Sequence, residues 1–506
     1  MFKRVKRYLY LAHRWLGIAM CLLFALWFAS GIVLMYVPYP TLTEEERIAA
    51  LPPLSAESIN MNPTQALALA GFEGAGVVSL RLDTLMERPA YEIMGDDNRR
   101  VTVFADNGAV LAAEITPSMA LAVVASSGFG SREAQLWYGG EVEMDQWTVS
   151  PRYNNLRPLH KVILGDADGT VVYVSDVNGR IVLDTHRSER FWNWVGATIH
   201  WIYPLQLRRH SGLWADVVIW LSVAGLLSIV TGSIIGVLRL RLRTGYRGGG
   251  ISPYQDMRRW HHLLGLVSVV FLFTFTFTFT FTFTFTFTFM FSGLMSMSPW
   301  GLFASSTSSG EQILRYQGGL LGKAEMLPDA GVVSLEGIRE VNWRQVGSTP
   351  YLDLIDSTGS VRIIAADGSD RTRPEQRDIV SQSLPALLAA ASVMSISELA
   401  APDAYYYSRP HRQRPLPVLR VKFDDPESTW YHVDPWSGQV MGRLTRANRV
   451  QRWLYNGLHS LDFRLLLERR PLWDIVMVVL MLLGFLFAAT SVVIGWRRLR
   501  RSLRMR

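Results

Sequence analysis

Four histidines occur at two pairs of matched positions in this chain of 506 residues. His200 and His459 lie 259 residues apart, and His13 and His261 each precede a glycine by four residues near the start of an apolar segment. The offset of 259 also relates other residues: Gly179 and Gly438, Trp194 and Trp453, Trp214 and Trp473, Gly236 and Gly495, Arg239 and Arg498. Imidazole ligates metal ions and haem iron. The duplication therefore predicts two equivalent metal or haem sites.

The remaining composition limits what could fill such sites. The only cysteine, Cys21, lies inside the first apolar segment, so thiolate metal sites and disulfides are excluded. A metal must then be held by nitrogen or oxygen, or through a cofactor. The sequence has no Gly-x-Gly-x-x-Gly after a strand and no Walker A motif, so we expect no nucleotide or flavin domain.

Long apolar segments indicate insertion into a lipid bilayer. Hydrophobic residues make up 49% of the chain and charged residues only 19%, and four segments exceed the ~20 residues that span a bilayer as a helix. These segments are 15–36, 213–238, 263–297 and 472–496. The sequence predicts four transmembrane helices.

The net charge of +8 fits a membrane protein and does not indicate nucleic-acid binding. Basic residues cluster before the first segment, between the second and third, and after the fourth. The positive-inside rule then places both termini and the short middle loop in the cytoplasm. The two long loops, 37–212 and 298–471, are predicted to be exported.

Each exported loop contains alternating β-branched runs around turn residues, as in 171–184 and 430–441, together with helical stretches. This pattern is typical of small α+β domains. The predicted order is an N-terminus with the first span, an exported domain, an interfacial helix with the second span, a cytoplasmic loop with the third span, a second exported domain, and an interfacial helix with the fourth span and a basic tail. The corresponding residues are 1–36, 37–190, 191–247, 248–297, 298–448 and 449–506.

The third apolar segment contains a strict Phe-Thr alternation over 273–289. In lipid an isolated strand would leave its backbone unpaired, so a helix is predicted. His13 lies 17 residues before Ser30, whereas His261 lies 31 residues before Ser292. The surplus of 14 residues equals seven Phe-Thr units, which indicates a low-complexity expansion of an ordinary span or an error in the sequence.

On this topology His13 and His261 lie at the cytoplasmic boundary, and His200 and His459 lie at the exported boundary. Pseudo-symmetry would bring each matched pair face to face, and two facing imidazoles can ligate one haem iron axially. Two such centres would carry electrons across the bilayer. His262, next to His261, stays open as the alternative ligand.

Several motifs resemble the PepSY-associated transmembrane helix family. They are HRWLG at 13–17 with Ser-Gly at 30–31, the repeated Y-V-x-x-x-x-G hairpins, and a histidine thirteen residues before Leu-Trp ahead of a span. The resemblance implies a bacterial inner-membrane protein similar to di-haem ferric-siderophore reductases. It also implies two b-type haems, one on His13 and His261 (or His262) and one on His200 and His459. The exported loops would be PepSY-like domains.

The predicted fold class is thus an α-helical membrane protein, a four-transmembrane-helix bundle from an internal duplication with two exported α+β PepSY-like domains. The predicted function is a haem-containing membrane oxidoreductase that takes electrons from a quinol or a cytoplasmic reductase. Its acceptor would be periplasmic, such as a ferric siderophore. The alternative is a non-enzymatic membrane protein that binds or regulates a periplasmic partner such as a protease.

Overall fold

A computed structural model describes residues 2–72, 76–129, 135–247, 249–276, 285–304, 309–321, 333–409 and 413–504. The α-helices are α1 (Phe2–Leu34), α2 (Glu44–Ala50), α3 (Pro63–Leu69), α4 (Pro117–Ala125), α5 (Arg187–Asn193), α6 (Leu205–Arg208), α7 (Ser211–Leu238), α8 (Asp256–Thr276), α9 (Phe285–Ser296), α10 (Ser309–Gln317), α11 (Arg373–Ser383), α12 (Arg446–Arg452), α13 (Arg464–Leu467) and α14 (Arg470–Arg504).

Within the described ranges, three helices are long and apolar enough to cross a membrane: α1, α7 and α14. Helix α1 packs on α14 and α7, and α8 packs on the same two helices. Small residues permit this close approach, since Gly484 of α14 contacts the ring of Phe28 on α1. These helices position the four histidines.

In the described ranges, fourteen strands lie outside the helical part. They are β1 (Val77–Leu85), β2 (Arg88–Gly95), β3 (Arg100–Phe104), β4 (Leu136–Val142), β5 (Leu159–Leu164), β6 (Val171–Ser175), β7 (Ile181–Thr185), β8 (Ile338–Val346), β9 (Thr349–Asp356), β10 (Val361–Ala365), β11 (Val393–Leu399), β12 (Val418–Phe423), β13 (Trp430–Val433) and β14 (Val440–Leu444). Two four-stranded sheets have the orders β4-β5-β6-β7 and β11-β12-β13-β14, and all pairings are antiparallel. These two sheets are the duplicated counterparts of each other.

The third sheet joins the two halves of the chain. Its order is β10-β9-β8-β1-β2-β3, so a meander from each half meets its counterpart where β1 pairs antiparallel with β8. In that pairing Leu80 is opposite Trp343, Arg81 opposite Asn342, and Leu82 opposite Val341. Leu80, Leu82, Val341 and Trp343 are buried in a core that draws on both meanders. Burial of this shared apolar face holds the two long loops together.

The hairpins at the centre of this sheet turn through two residues each. Met86 and Glu87 between β1 and β2 have positive φ values, as do Gly347 and Ser348 between β8 and β9. Two consecutive positive φ angles are the mark of a type I′ turn, whose twist matches that of the flanking strands. The duplication therefore repeats the turn conformation even where the residue types differ.

The predicted fold class is wrong. The protein is 46% helical with 20% strand in three antiparallel sheets, and three apolar helices replace the predicted four-helix bundle in the described part of the chain. The physical reason is that hydropathy identifies apolar segments but gives no information on how the strands of the two long loops pair, and β1 of the first half pairs with β8 of the second.

The third apolar segment contributes α8 and the shorter α9. Residues 277–284, within the Phe-Thr alternation, lie outside the described residues. The prediction that the alternation is an expanded helical span therefore stays a prediction.

Candidate functional site: two histidine pairs

The first pair consists of His13 on α1 and His261 on α8. Their ring centroids lie 6.3 Å apart with an angle of 29° between the ring planes. Both line a cavity of about 800 Å³ between α1, α7, α8 and α14. Gly17 and Gly265, one helical turn beyond each histidine, line the same cavity and add no side chain to fill it.

The Nδ1 atoms of this pair are held by polar groups of neighbouring helices. His13 Nδ1 lies 3.1 Å from the Ser228 carbonyl oxygen of α7. His261 Nδ1 lies 3.3 Å from Thr490 Oγ1 and 3.1 Å from Ser491 Oγ of α14. Both hydroxyls donate to the carbonyl of Phe487, so they accept from the histidine.

The second pair consists of His200 and His459, which lie just before α6 and α13. Their ring centroids are 6.0 Å apart, with an angle of 66° between the planes. The structure therefore brings together the same two pairs that the duplication predicts, although it does not show what they bind.

The second pair is held by the Ser-Gly dipeptides noted in the sequence. His200 Nδ1 lies 3.1 Å from the Trp27 carbonyl oxygen and 3.3 Å from Ser30 Oγ. In the other half, His459 Nδ1 lies 3.2 Å from the Phe289 carbonyl oxygen and 3.1 Å from Ser292 Oγ. The two halves thus repeat one histidine-binding arrangement, a carbonyl and a serine from one helix turn.

These contacts decide which ring nitrogen carries the proton. A carbonyl oxygen only accepts, so His13, His200 and His459 each donate through Nδ1–H. The hydroxyls beside His261 favour the same tautomer. Nε2 of each ring then keeps its lone pair, and it has no hydrogen-bond partner among the described residues. A fixed Nδ1–H with a free Nε2 is the usual arrangement of a histidine that ligates a metal.

His262 has a different environment. Its Nε2 donates to the Gly236 carbonyl oxygen at 2.9 Å, and its Nδ1 accepts from Ser252 Oγ at 2.8 Å. Both nitrogens are occupied and the side chain is buried. Of the two candidates that spacing left open, His261 is the one that faces His13.

Two features that the sequence did not reveal position the second pair. A single turn of π-helix precedes each histidine, at Trp194–Thr198 and at Trp453–Gly457, positions related by the offset of 259. Such π turns occur often at functional sites. The matched tryptophans Trp194 and Trp453 were the available signal, but no propensity rule distinguishes a π turn from an α-helix.

The matched tryptophans fix the chain just after each histidine. Trp214 Nε1 donates to the Trp201 carbonyl oxygen at 3.0 Å, and Trp473 Nε1 donates to the Ser460 carbonyl oxygen at 2.8 Å. Each bond ties the start of an apolar helix to the residue that follows His200 or His459. The tryptophans in the Leu-Trp motif therefore have a positioning role.

The two pairs lie near opposite ends of α1: His13 is on its first half, and His200 contacts Trp27 and Ser30 near its end. His13 precedes Ser30 by 17 residues on α1, which corresponds to about 25 Å along the axis. A bilayer core is about 30 Å thick. The distance between the two pairs along α1 is therefore close to the thickness of a bilayer core.

Two ligands alone do not make a protein metal site. No group of three or more His, Cys, Asp or Glu residues that could hold a metal ion occurs in the described ranges. A paired site with two nitrogens instead fits a cofactor that brings its own equatorial ligands.

The chain matches the PepSY-associated TM region over residues 10–312, more than half of its length. It belongs to this family. No curated protein matches the chain. The matched region includes His13, His200 and His261, and with the three apolar helices it makes the chain a membrane protein with a PepSY-associated region.

A glycine beside His13 gives a direct test of the first pair's packing. A Cβ at Gly232 of α7 would lie 2.5 Å from His13 Cε1, whereas a Cβ at Gly212 of the same helix would meet nothing within 4 Å. We expect Gly232→Ala to destabilise the purified protein by about 1–3 kcal/mol, because overpacking displaces the ring. Gly212→Ala should be neutral or slightly stabilising. Thermal unfolding in detergent measures both, and equal effects would contradict the packing at Gly232.

Proposed function

We propose that this protein is a transmembrane electron-transfer protein that holds two b-type haems, one between His13 and His261 and one between His200 and His459. The observation that carries the proposal is the shared geometry of the pairs. In each pair, Nδ1 of both rings is hydrogen-bonded to a fixed acceptor, and Nε2 has no partner among the described residues. The ring centroids lie 6.3 Å apart in the first pair and 6.0 Å apart in the second.

These spacings suit a metal centred between the rings. A metal–imidazole bond of about 2 Å from each side separates the two nitrogens by about 4 Å and the ring centroids by about 6 Å. The different angles between the ring planes, 29° and 66°, are no obstacle, because ligation by two imidazoles would not require the rings to be parallel. The distances alone would also suit two stacked histidines, so the tautomers and the cavity carry the argument further.

The cavity around the first pair suits a large anionic cofactor. Its volume of about 800 Å³ lies within the usual range of cofactor pockets, ~300–1000 Å³. Arg14, Arg258 and Arg498 line it together with the histidines. Their guanidinium groups match the carboxylates that haem carries at its edge.

Haem ligated by two histidines supplies one-electron transfer without an open position for oxygen. The residues of this chain orient the imidazoles, exclude water and hold the protons on Nδ1. By the positive-inside rule the first pair would lie at the cytoplasmic face and the second at the periplasmic face of a bacterial inner membrane. Electrons would enter from a quinol or a cytoplasmic reductase and leave to a periplasmic acceptor, for which we propose a ferric siderophore.

Absorption spectroscopy of the full-length protein, purified in detergent from haem-replete cells, tests the proposal. We expect a reduced spectrum of b type and about two haems per chain by pyridine haemochrome assay. A folded, colourless preparation that takes up no added haemin would exclude electron transfer. That outcome would favour the alternative, a PepSY membrane protein that binds a periplasmic partner without redox chemistry.

A further inference from the structure

The exported part of the first half contains a cavity of about 420 Å³ that is rich in charged side chains. It lies between the β1–β2 hairpin of the six-stranded sheet and the turn that joins β6 to β7. Five arginines and three carboxylates line it, so cations are in excess. A fourth carboxylate, Glu340 of β8, forms an ion pair with Arg47 at 2.6 Å. When Glu340 is included, the five arginines exceed the carboxylates by one.

Arg180, on the β6–β7 turn, is the least satisfied of these arginines. Its side chain is only 8% exposed, and one terminal nitrogen forms an ion pair with Asp83. Its Nε and its second terminal nitrogen have no hydrogen-bond partner among the described residues. A guanidinium has five N–H donors, and leaving buried donors unpaired is costly.

The carboxylates of the cavity do not make up this deficit. Glu92 already accepts from Asn178 Nδ2 at 2.7 Å and from Arg100 at 3.2 Å, and it also ion-pairs with Arg81. Asp83, 1% exposed, is shared between Arg180 and Arg81. The donors of Arg180 that remain are therefore available to an anion from outside the chain.

The second half shows that the fold does not require this arrangement. The residue related to Arg180 by the offset of 259 is Gln439. In the β1–β2 and β8–β9 hairpins the offset is 261, because β1 begins at Val77 and β8 at Ile338. At that offset the positions related to Asp83 and Glu92 hold Arg344 and Asp353, which form one simple ion pair at 3.2 Å. The charged cavity is thus a specialisation of the first half.

We propose that this cavity binds a small molecule carrying a carboxylate, held by the free edge of Arg180. Two parallel N–H donors of a guanidinium match the two oxygens of a carboxylate, which is the strongest form of this contact. The apolar side chains of Leu85, Met86 and Val123 also line the cavity and suit a hydrocarbon portion. This inference does not depend on haem binding.

Calorimetric titration of the full-length protein in detergent tests it, with succinate, citrate and benzoate as probes against chloride at equal ionic strength. At least one carboxylate should bind the wild-type protein. Arg180→Gln, which installs the residue of the second half, should weaken that binding about tenfold or more. Arg88→Gln is the matched control, because Arg88 pairs with Asp106 on the same sheet and does not line the cavity. Its affinity should be unchanged.

A second variant keeps the test decisive if Arg180→Gln fails to fold. Asp83→Asn removes the internal carboxylate that competes for Arg180, so carboxylate binding should become tighter. Absence of binding by all three probes to the wild type would overturn the proposal. So would unchanged affinity in both Arg180→Gln and Asp83→Asn, or equal losses in Arg180→Gln and Arg88→Gln.

Discussion

Replacing His200 with alanine is expected to leave a protein with about one haem per chain, and His13→Ala should leave the other one. Each variant removes one of the two imidazoles that would hold one haem, while the other pair lies about 25 Å away along α1 and keeps its own partners. The haem that stays should therefore keep an unchanged spectrum. Haem content and redox titration of the two variants, side by side, measure this.

His262→Ala is the matched control for the first pair. Both nitrogens of His262 are engaged by Gly236 and Ser252, so its loss should cost stability but leave two haems. His261→Ala should leave one. The reverse result would transfer the ligand role to His262, and full haem content in all four variants of the paired histidines would refute ligation by histidine.

The second large effect concerns two matched carboxylates of the six-stranded sheet, Glu92 of β2 and Asp353 of β9. Burial alone would raise the pKa of Glu92, but the charges of Arg81 and Arg180 and the bond from Asn178 outweigh it and hold the pKa at about 2. Burial of Asp353 dominates over its single partner, Arg344, and raises its pKa to about 6. The ionised carboxylates at this matched position therefore have opposite effects at neutral pH: Glu92 stabilises the fold and Asp353 destabilises it.

For Glu92 the folded pKa lies below the ordinary 4.5, so its stabilising contribution is present above pH 4.5 and is lost as the pH falls toward 2. At about 1.4 kcal/mol per pKa unit, that contribution is on the order of 3 kcal/mol at pH 7. For Asp353 the folded pKa lies above 3.8, so its contribution is present below that pH and is lost as the pH rises through about 6.

We therefore expect Glu92→Gln to lower the free energy of unfolding of the six-stranded sheet by on the order of 3 kcal/mol at pH 7. Asp353→Asn should raise it by on the order of 1–3 kcal/mol at the same pH. Thermal unfolding and limited proteolysis at pH 7 and pH 4 measure both changes.

Asp106→Asn is the control. Because Asp106 forms a partly exposed pair with Arg88, this change should alter the free energy of unfolding little. Changes of the same sign at Glu92 and Asp353 would contradict the assigned environments.

The pairing of the histidines could be predicted from the sequence because the duplication fixes which residues are equivalent. The spacing to Gly265 favoured His261 but left His262 open, and only the contacts of His262 with Gly236 and Ser252 separate the two. The Ser-Gly dipeptides were visible, but their hydrogen bonds to the histidines depend on helix packing.

The strands were partly predictable and their assembly was not. Alternating residues around Asn-Gly and Ser-Gly turns indicated hairpins such as β6–β7 and β13–β14, which are local. The pairing of β1 with β8 joins residues about 260 positions apart, and no local pattern encodes that register. For the same reason the charged cavity, which depends on β1, β2 and the β6–β7 turn, could not be foreseen.

The register of β1 on β8 has a consequence for the symmetry of the molecule. In these strands the offset between the halves is 261, so Leu80 is the counterpart of Val341 and Leu82 that of Trp343. Leu80 nevertheless faces Trp343 and Leu82 faces Val341, so Arg81 faces its own counterpart, Asn342. A pairing that maps onto itself when the halves are exchanged defines a two-fold axis through that residue pair, as in an isologous dimer. The two halves of the chain are thus arranged about this residue pair as the subunits of a symmetric dimer are arranged about their axis. The residue at the axis is arginine in one half and asparagine in the other, so the symmetry is broken at its centre.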